Sequence, residues 1–462
     1  MSQAELISNV FGKDMPNARF ESYLPILNFY DNNNKNYNSG KITFDSKDLK
    51  ARILDWHNSV LEVPVTVSSK IAGVVEAISD TMFLALKNGA HNAVTEFQLK
   101  VNSKDTENVD NLPLYNSFLK HLEVDKNYAE TYGYLDHYYP DDCATNQALL
   151  YGADPVVNNN DKVVGATYNE GFKKRVQMFN RECGTKGTSV DFLIRIPLRN
   201  VSAFIRSLNI PLQNCALDMT FKIAGLGGDL AYMPFMRDSI TAGVLSIAMT
   251  AGETARIVVH ECKFDPILQA QWNQMIASNG MKRQFKFWVP RHLRSSRPVT
   301  DKVLDETIEP GAKNLKRVMC LFTKPAHWAS SESTSPATTE ISEYFDVKKG
   351  INLEISGKKL YENNLNSDYL IYQNLRNETR SGVNEGSAGT VCTYKAFKDG
   401  YLRYYVFNLE HCPLVKNPDG VSIRIIGDKN VINGSAELHF FLETESIINI
   451  DMTNSANTSV ST

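Results

Sequence analysis

The 462-residue sequence has no excess of positive charge, and this absence excludes one common mode of nucleic-acid binding. It carries 49 Lys and Arg residues against 52 Asp and Glu residues, a formal net charge of −3. The charges of the first forty positions also nearly balance, with three basic residues and four acidic residues. Binding through counterion release requires an excess of Lys and Arg, so we expect no sequence-specific nucleic-acid partner.

Long apolar runs are also absent. The longest uncharged run covers residues 239–252, which is shorter than the roughly 20 apolar residues that cross a bilayer. Its apolar residues Leu245, Ile247 and Met249 alternate, so a buried strand is expected. The first residues, Met1 to Ile7, lack the basic segment and apolar core of a secretion signal, and we expect none.

Paired cysteines are absent too, although seven cysteines are present. They are scattered and none forms a CxxC motif, so we expect reduced, mostly buried thiols in a protein that folds in cytoplasm or nucleus. The seven are Cys143, Cys183, Cys215, Cys262, Cys320, Cys392 and Cys412.

The motifs of common enzymes are missing. The sequence contains no Gx4GK[ST], GxSxG or HExxH pattern. His260 and Cys262 share a face of a predicted strand and could begin a zinc site, but no second ligand pair follows. Gly225 to Gly228 follow a strand without a helix pattern after them, so a turn is predicted. We therefore predict a non-enzymatic protein without metal or cofactor.

One basic cluster is the best candidate for binding an anion. Arg291, Arg294 and Arg297 recur every three positions at the end of a predicted strand, just before Pro298. A solvated loop between strands, or a salt-bridge patch between subunits, is the alternative reading of the same residues.

What the sequence does contain is repeated alternation of apolar and polar residues, which is typical of half-buried antiparallel strands. Phe97, Leu99 and Val101 form one apolar face. Another runs through residues 60–67, where Pro64 removes a backbone donor and so predicts an edge strand or a bulge.

Several strand patterns occur twice in the same order. Residues 97–101 match 351–355, residues 192–198 match 402–409, and residues 216–224 match 421–427. The first copy carries the longer insertion. The expected fold is all-β, with two consecutive eight-stranded jelly-roll sandwiches, a double jelly roll, and short helices in the connecting loops.

Two helices interrupt the strand pattern. Phe204, Ile205 and Leu208 have helical spacing and predict a short helix that packs against the first sandwich. The second helix begins with Asp265 as its N-cap and Pro266 in the first turn, and it ends at Gly280. Its apolar face should contain Ile267, Leu268, Trp272, Met275 and Ile276.

The alternation divides the chain into four parts. Residues 1–40 are predicted to form an N-terminal arm, 41–250 the first jelly roll, 251–450 the second, and 451–462 a flexible C-terminal tail. The arm contains seven large apolar residues, which we expect to dock on the chain or on a neighbouring subunit as assembly contacts. They are Phe20, Tyr23, Leu24, Ile26, Leu27, Phe29 and Tyr30. On this reading, deletion of residues 1–40 should leave the oligomer intact and impair its assembly into larger particles.

Several segments resemble the double jelly-roll major capsid proteins of virophages and of Polinton-like and adintovirus-like elements. These segments are residues 54–67, with an acidic residue and Trp56 before a strand; residues 86–94; residues 192–208, where a strand and Pro197-Leu198 precede an aromatic helix; and residues 308–322. The likeness is a succession of degenerate motifs over most of residues 40–450.

This resemblance implies a major capsid protein of a tailless icosahedral DNA virus or a related element. Three copies would form a pseudo-hexagonal capsomer, with neighbouring capsomers, penton and minor capsid proteins, and an internal membrane as possible partners. Two other classes stay open on sequence alone. One is a carbohydrate-active or cupin-like β enzyme, or a carbohydrate-binding β-sandwich, and the other is a single jelly-roll attachment protein of the penton or fibre type.

Overall fold

The structure is a computed structural model in which two β-sandwiches follow one another along the chain. It describes residues 20–33, 35–78, 83–124, 126–131, 133–141, 170–228, 231–238, 244–279, 282–295, 303–323, 350–377, 393–398, 402–416, 419–428, 437–453 and 455–461.

The first half of the chain supplies twelve of the strands in the described ranges. They are β1 (Phe20–Tyr30), β2 (Lys41–Asp45), β3 (Leu54–Ile71), β4 (Val74–Glu76), β5 (Phe83–Leu86), β6 (Val94–Val101), β7 (Lys104–Val109), β8 (Ser189–Pro197), β9 (Leu217–Ile223), β10 (Phe235–Asp238), β11 (Val244–Met249) and β12 (Arg256–Phe264).

The second half supplies a further nine. They are β13 (Lys282–Arg294), β14 (Val303–Ala312), β15 (Leu315–Thr323), β16 (Ile351–Ile355), β17 (Lys358–Lys359), β18 (Tyr405–Asn408), β19 (Val421–Asp428), β20 (Glu437–Asp451) and β21 (Ser459–Ser461).

Helices occupy the connections between strands. The α-helices in the described ranges are α1 (Leu112–Glu123), α2 (Lys126–Thr131), α3 (Gly133–Asp136), α4 (Glu170–Glu182), α5 (Ala203–Ser207), α6 (Pro266–Asn279), α7 (Asp368–Asn377) and α8 (Tyr394–Lys398), and short 3-10 helices lie among them. None of them, over the residues that the structure describes, is long and apolar enough to cross a membrane.

The first sandwich is built from two antiparallel sheets. Sheet 1a has the order β1-β12-β3-β8, with β11 and β4 added along β3. Sheet 1b has the order β2-β9-β6-β7. Strands β5 and β10 form a separate two-stranded ribbon. The alternating apolar residues of β6 explain the stacking of the two sheets, because Phe97, Leu99 and Val101 all lie buried between them.

The second sandwich repeats this order. Sheet 2a runs β13-β20-β15-β18, with β21 added beside β20, and sheet 2b runs β14-β19-β16-β17. If the eight main strands of each sandwich are counted along the chain, one sheet has the order first-eighth-third-sixth. The other has the order second-seventh-fourth-fifth. This strand order defines a jelly roll, and its occurrence in both halves confirms the predicted double jelly roll.

The repeat that the sequence indicates is the repeat of the fold. Strands β6 and β16 are each the fourth strand of their sandwich, β8 and β18 the sixth, and β9 and β19 the seventh. The longer insertion of the first copy lies between the fifth and sixth strands, where residues 110–188 include α1 to α4.

Residues 20–30 do not belong to an arm. They form β1, the first strand of sheet 1a, and pair with β12 of the same chain over its whole length. Leu27 and Phe29 lie partly buried against the core, and the rings of Phe29 and Phe44 are 5.6 Å apart. Leu27 and Phe29 therefore serve the core of the first sandwich, and Tyr30 is 53% exposed, whereas the side chains of Phe20, Tyr23, Leu24 and Ile26 lie outside what the structure describes.

The predicted division of the chain changes at two further points. Strand β12, the last strand of the first sandwich, ends at Phe264, so the first sandwich extends past residue 250 and α6 links the two. At the other end, β21 pairs with β20, so residues 459–461 belong to sheet 2a rather than to a flexible tail.

Pro64 does not mark an edge strand, because β3 has partners on both sides. Its carbonyl accepts a hydrogen bond from Thr250 N, in the gap where pairing with β12 ends at Glu62 and pairing with β11 begins at Val65. The N–H and C=O of one strand residue point to the same side, so the missing donor falls in this gap.

Helix α6 begins as predicted, since Asp265 Oδ1 accepts hydrogen bonds from Ile267 N and Leu268 N. Leu268 and Trp272 are buried, whereas Ile267 is 72% exposed and does not belong to the apolar face. The side chain of Met275 lies outside what the structure describes. Cys215, Cys262 and Cys320 are buried thiols and Cys183 and Cys412 are partly buried; Cys143 and Cys392 lie outside the described residues.

The pairing of β1 with β12 changes what we expect of a chain that lacks residues 1–40. Deletion of residues 1–40 should lower the melting temperature of the first sandwich, because β12 loses one of its two partner strands and Leu27 and Phe29 leave the core. Differential scanning calorimetry of this variant measures the effect. Deletion of residues 1–19 leaves β1 whole and serves as the control. Melting of both truncated chains at the temperature of the full chain would contradict this role for β1.

Candidate functional site at the contact between the two sandwiches

Helix α1 joins the first sandwich to sheet 2a of the second. It begins after Asn111, whose φ of 50° turns the chain, and Pro113 stands in its first turn. Tyr115, Phe118, Leu119 and Leu122 recur at helical spacing and are all buried. The helix therefore presents an apolar face that the first sandwich alone does not cover.

A buried ion pair of the second sandwich lies under this helix. The Arg317 guanidinium donates to both oxygens of the Glu443 carboxylate, at 2.7 and 2.9 Å. The side chains are 6% and 1% exposed. The two residues are direct cross-strand partners on β15 and β20, which brings the guanidinium within reach of both carboxylate oxygens.

Residues of α1 complete the surroundings of this pair. The Tyr115 hydroxyl donates to Glu443 Oε1 at 2.6 Å, and the rings of Phe118 and Trp288 each lie 5.6 Å from the Arg317 guanidinium. Burial, and then the Glu443 charge, raise the pKa of Tyr115 far above its usual range, so the hydroxyl keeps its proton. Removal of one partner of such a pair leaves an uncompensated buried charge, which lowers the free energy of unfolding by about 3–5 kcal/mol.

Two further polar contacts extend along α1. His121 Nδ1 lies 2.6 Å from the Tyr404 hydroxyl, and Phe118 meets the Tyr404 ring edge to face at 5.0 Å. Burial lowers the pKa of His121 to about 4, which keeps the imidazole neutral at physiological pH. At the start of the helix, Asn111 Nδ2 lies 2.6 Å from His292 Nδ1.

Helix α5 makes a second contact with the second sandwich. Phe204 is fully buried and packs edge to face against Phe285 and Phe287 of β13, at 5.9 and 5.6 Å. The sequence predicts the burial of Phe204 correctly and its main partner incorrectly, because alternation and spacing do not reveal which sandwich a side chain meets.

The carboxylate of Glu107 fixes the start of α5. It lies on β7 and accepts hydrogen bonds from Phe204 N and from Ser202 Oγ, and Ser202 Oγ in turn caps the helix by accepting from Ile205 N at 3.1 Å. Burial raises the pKa of Glu107 to about 7, against the opposing effect of these hydrogen bonds. Sequence reasoning missed this group, because β7 (KDTENV) has no apolar alternation that would mark it as a strand.

A cleft of about 530 Å³ opens beside the two helices. Both sandwiches line it, through Leu119 and Arg206 on one side and Lys286 and Trp288 on the other. Glu443 also borders it, but its oxygens are bonded to Arg317 and Tyr115. The polar groups at this site thus hold the two sandwiches in one orientation.

The structure does not bring the predicted basic cluster together. Arg291 and Arg294 lie on β13 three positions apart, which puts them on opposite faces of the strand, and Arg294 forms an ion pair with Glu437. Arg297 lies outside the described residues. An anion site at these three arginines stays a prediction. Over the part of the chain that the structure describes, no group of three His, Cys, Asp or Glu residues could hold a metal ion.

The site and the fold define a double jelly-roll protein whose two sandwiches are joined through buried side chains. No protein-family model and no curated protein sequence matches this chain. Among solved structures, it is similar to a chain in the cryo-EM structure of the Sputnik virophage, with a TM-score of 0.62 and 9% identity over 96% of this chain and 88% of that one. It is also similar to the mavirus major capsid protein, with a TM-score of 0.58 and 10% identity over 97% and 93%. The predicted resemblance is confirmed at the level of the fold.

The contact through α5 leads to a prediction on stability. Phe204→Ala should lower the free energy of unfolding by about 3–5 kcal/mol, since it leaves a cavity between the sandwiches. Urea denaturation measures the change. Ile267→Ala, at an exposed position of α6, is the control and should change it by less than about 0.5 kcal/mol. Equal stability of the Phe204 variant and the unsubstituted protein would show that the ring is not buried in this contact.

The raised pKa of Glu107 predicts a pH dependence. The folded state keeps the proton up to about pH 7, whereas the unfolded chain releases it near its ordinary value of 4.5. The contribution of the Glu107 proton to the free energy of unfolding is therefore full below pH 4.5 and is lost as the pH rises through 7. Glu107→Gln keeps the acceptor oxygen and removes the titration.

We expect the loss of unfolding free energy between pH 5 and pH 8 to be smaller in the Glu107→Gln variant than in the unsubstituted protein. Chemical denaturation at both pH values measures the difference, and other titrating groups cancel in the comparison. An identical pH dependence in the two proteins would exclude a raised pKa at Glu107.

Proposed function

We propose that this chain is a major capsid protein, with a structural and non-enzymatic role. The observation that carries the proposal is the near full-length similarity to the two virophage structures, which covers both sandwiches at once. Likeness of a single sandwich would fit many carbohydrate-binding or attachment proteins. Likeness over two joined sandwiches favours a building block that places both in a fixed geometry.

The proposed unit of assembly is a homotrimer that acts as a pseudo-hexagonal capsomer of an icosahedral shell. Six jelly rolls around a three-fold axis approximate a hexagon, provided that the two sandwiches within each chain are held rigidly. The hydrogen bond from Tyr115 to the buried Glu443 and the Phe204 contact both cross between the sandwiches and support that rigidity. Neighbouring capsomers, penton and minor capsid proteins, and an internal membrane are the proposed partners in the virion of a tailless DNA virus or a related element.

The first test is the mass of the purified protein in solution. Multi-angle light scattering should give about three times 51.9 kDa, and the value should persist across salt concentrations because the chain has little net charge. Negative-stain images should show particles with a hexagonal outline. A monomer at micromolar concentration under several salt conditions would exclude the capsomer.

A further inference from the structure

The two large sheets carry an ion pair at the same place in their strand order. In sheet 2a, Glu443 of the eighth strand pairs with Arg317 of the third. In sheet 1a, Arg256 of the eighth strand pairs with Glu62 of the third, with Nε and Oε2 2.7 Å apart. The two pairs have opposite polarity. Arg195 of the sixth strand also lies beside Glu62, at 3.6 Å.

The two pairs also lie at similar heights in their sheets. Arg317 is paired with Asn408, the last residue of the sixth strand β18. Glu62 is paired with Arg195, which is two residues before the end of the sixth strand β8. The same level of the jelly roll therefore carries the ion pair in both halves of the chain.

The pairs differ in what covers them. Helix α1 covers Arg317 and Glu443, which are 6% and 1% exposed, whereas Arg256 and Glu62 are 38% and 14% exposed. The first-strand neighbour of Arg256 is Tyr30, and it is 53% exposed. Within one chain, helix α4 reaches one edge of this surface, where Glu182 lies 3.2 Å from Arg195, but Arg256 beside it stays 38% exposed.

A helix equivalent to α1 exists in the second sandwich. Helix α1 lies between the fifth and sixth strands of the first sandwich, and α7 lies between the fifth and sixth strands of the second. Its inner residues Tyr372 and Leu375 are buried. Its outer residues Tyr369 and Leu370 are 63% and 40% exposed, and Tyr394 of α8 lies beside Tyr372 with its own ring 40% exposed.

We infer that α7 of one copy covers the Arg256–Glu62 pair of the next copy, as α1 covers Arg317–Glu443 within the chain. The occupant is a second copy, because one chain, over its described residues, holds a helix with exposed apolar side chains and a partly exposed ion pair on different sandwiches. This inference rests on the proposed function and names the surface that would close the trimer. Tyr369 and Leu370 supply the apolar cover, and Tyr30, Arg256, Glu62 and Arg195 form the surface that receives it.

The chemistry of the two surfaces is complementary. The aromatic ring of Phe118 lies over the Arg317 guanidinium, and Tyr369 would offer a ring to the Arg256 guanidinium in the same way. Enclosure of the ion pair between copies strengthens its attraction, since the surrounding water is displaced. The contact is heterologous, so repetition around a three-fold axis closes the ring without a free surface.

The test is the double substitution Tyr369→Asp with Leu370→Asp, which places two carboxylates where apolar cover is required. By light scattering at micromolar concentration, we expect loss of the species at about three times 51.9 kDa and appearance of the monomer. Ile267→Asp is the matched control, because Ile267 is an apolar helix residue that is 72% exposed elsewhere on the chain. It should leave the trimer unchanged.

Folding is checked in the same samples by calorimetry, where the double variant should keep the unfolding transition of an intact monomer. A second variant, Arg256→Glu, places two carboxylates side by side in the receiving surface and should also release monomers. A trimer that survives both changes would overturn the assigned surface and leave the capsomer standing. A monomer already in the unsubstituted protein would overturn both.

Discussion

The relative position of the two sandwiches depends on the burial of Arg317 and Glu443 beneath helix α1. Neither charge could remain in an apolar contact alone, because desolvation of an unpaired ion is far more unfavourable than the contact is favourable. The bidentate geometry, the Tyr115 hydroxyl and the two aromatic rings satisfy the pair. Arg317 and Glu443 both belong to sheet 2a, so the polar link to the first sandwich is the hydrogen bond from the Tyr115 hydroxyl to Glu443, whose direction fixes where α1 lies on the sheet.

The contact between the two sandwiches is made by helices that lie in the connections between strands of the first sandwich. The connection between the fifth and sixth strands of the first sandwich is long, and its first helix is the one that reaches the second sandwich. The connection between the sixth and seventh strands contributes α5, whose start is fixed by Glu107 on the neighbouring strand β7. Residues from three separate parts of the first sandwich thus converge on β13, β15 and β20, so the joint resists rotation as well as separation.

The first strand shows how tertiary pairing gives a role to a segment that has no clear local pattern. Residues 20–30 have many large apolar residues without strict alternation, and Pro25 stands in the middle. A register shift between Pro25 and Leu27 accommodates the proline in the pairing with β12. Because β1 is the outer strand of sheet 1a, it needs hydrogen bonds on one side only, and the irregularity is tolerated there.

The sequence by itself determined the fold class, the repeat and most of the strands, because a period of two in residues such as Phe97, Leu99 and Val101 depends only on local geometry. It also determined the N-cap of α6 at Asp265 and the burial of Phe204. Tertiary structure alone decided that Phe204 meets Phe285 and Phe287, that Pro64 lies in a central strand, and that Arg317 finds Glu443 across 126 positions of sequence. These outcomes depend on which strands become neighbours, and the apolar pattern of one strand fits many neighbours equally well. A buried charge such as Arg317 is stable only beside a group of opposite charge, and the fold decides which group lies there.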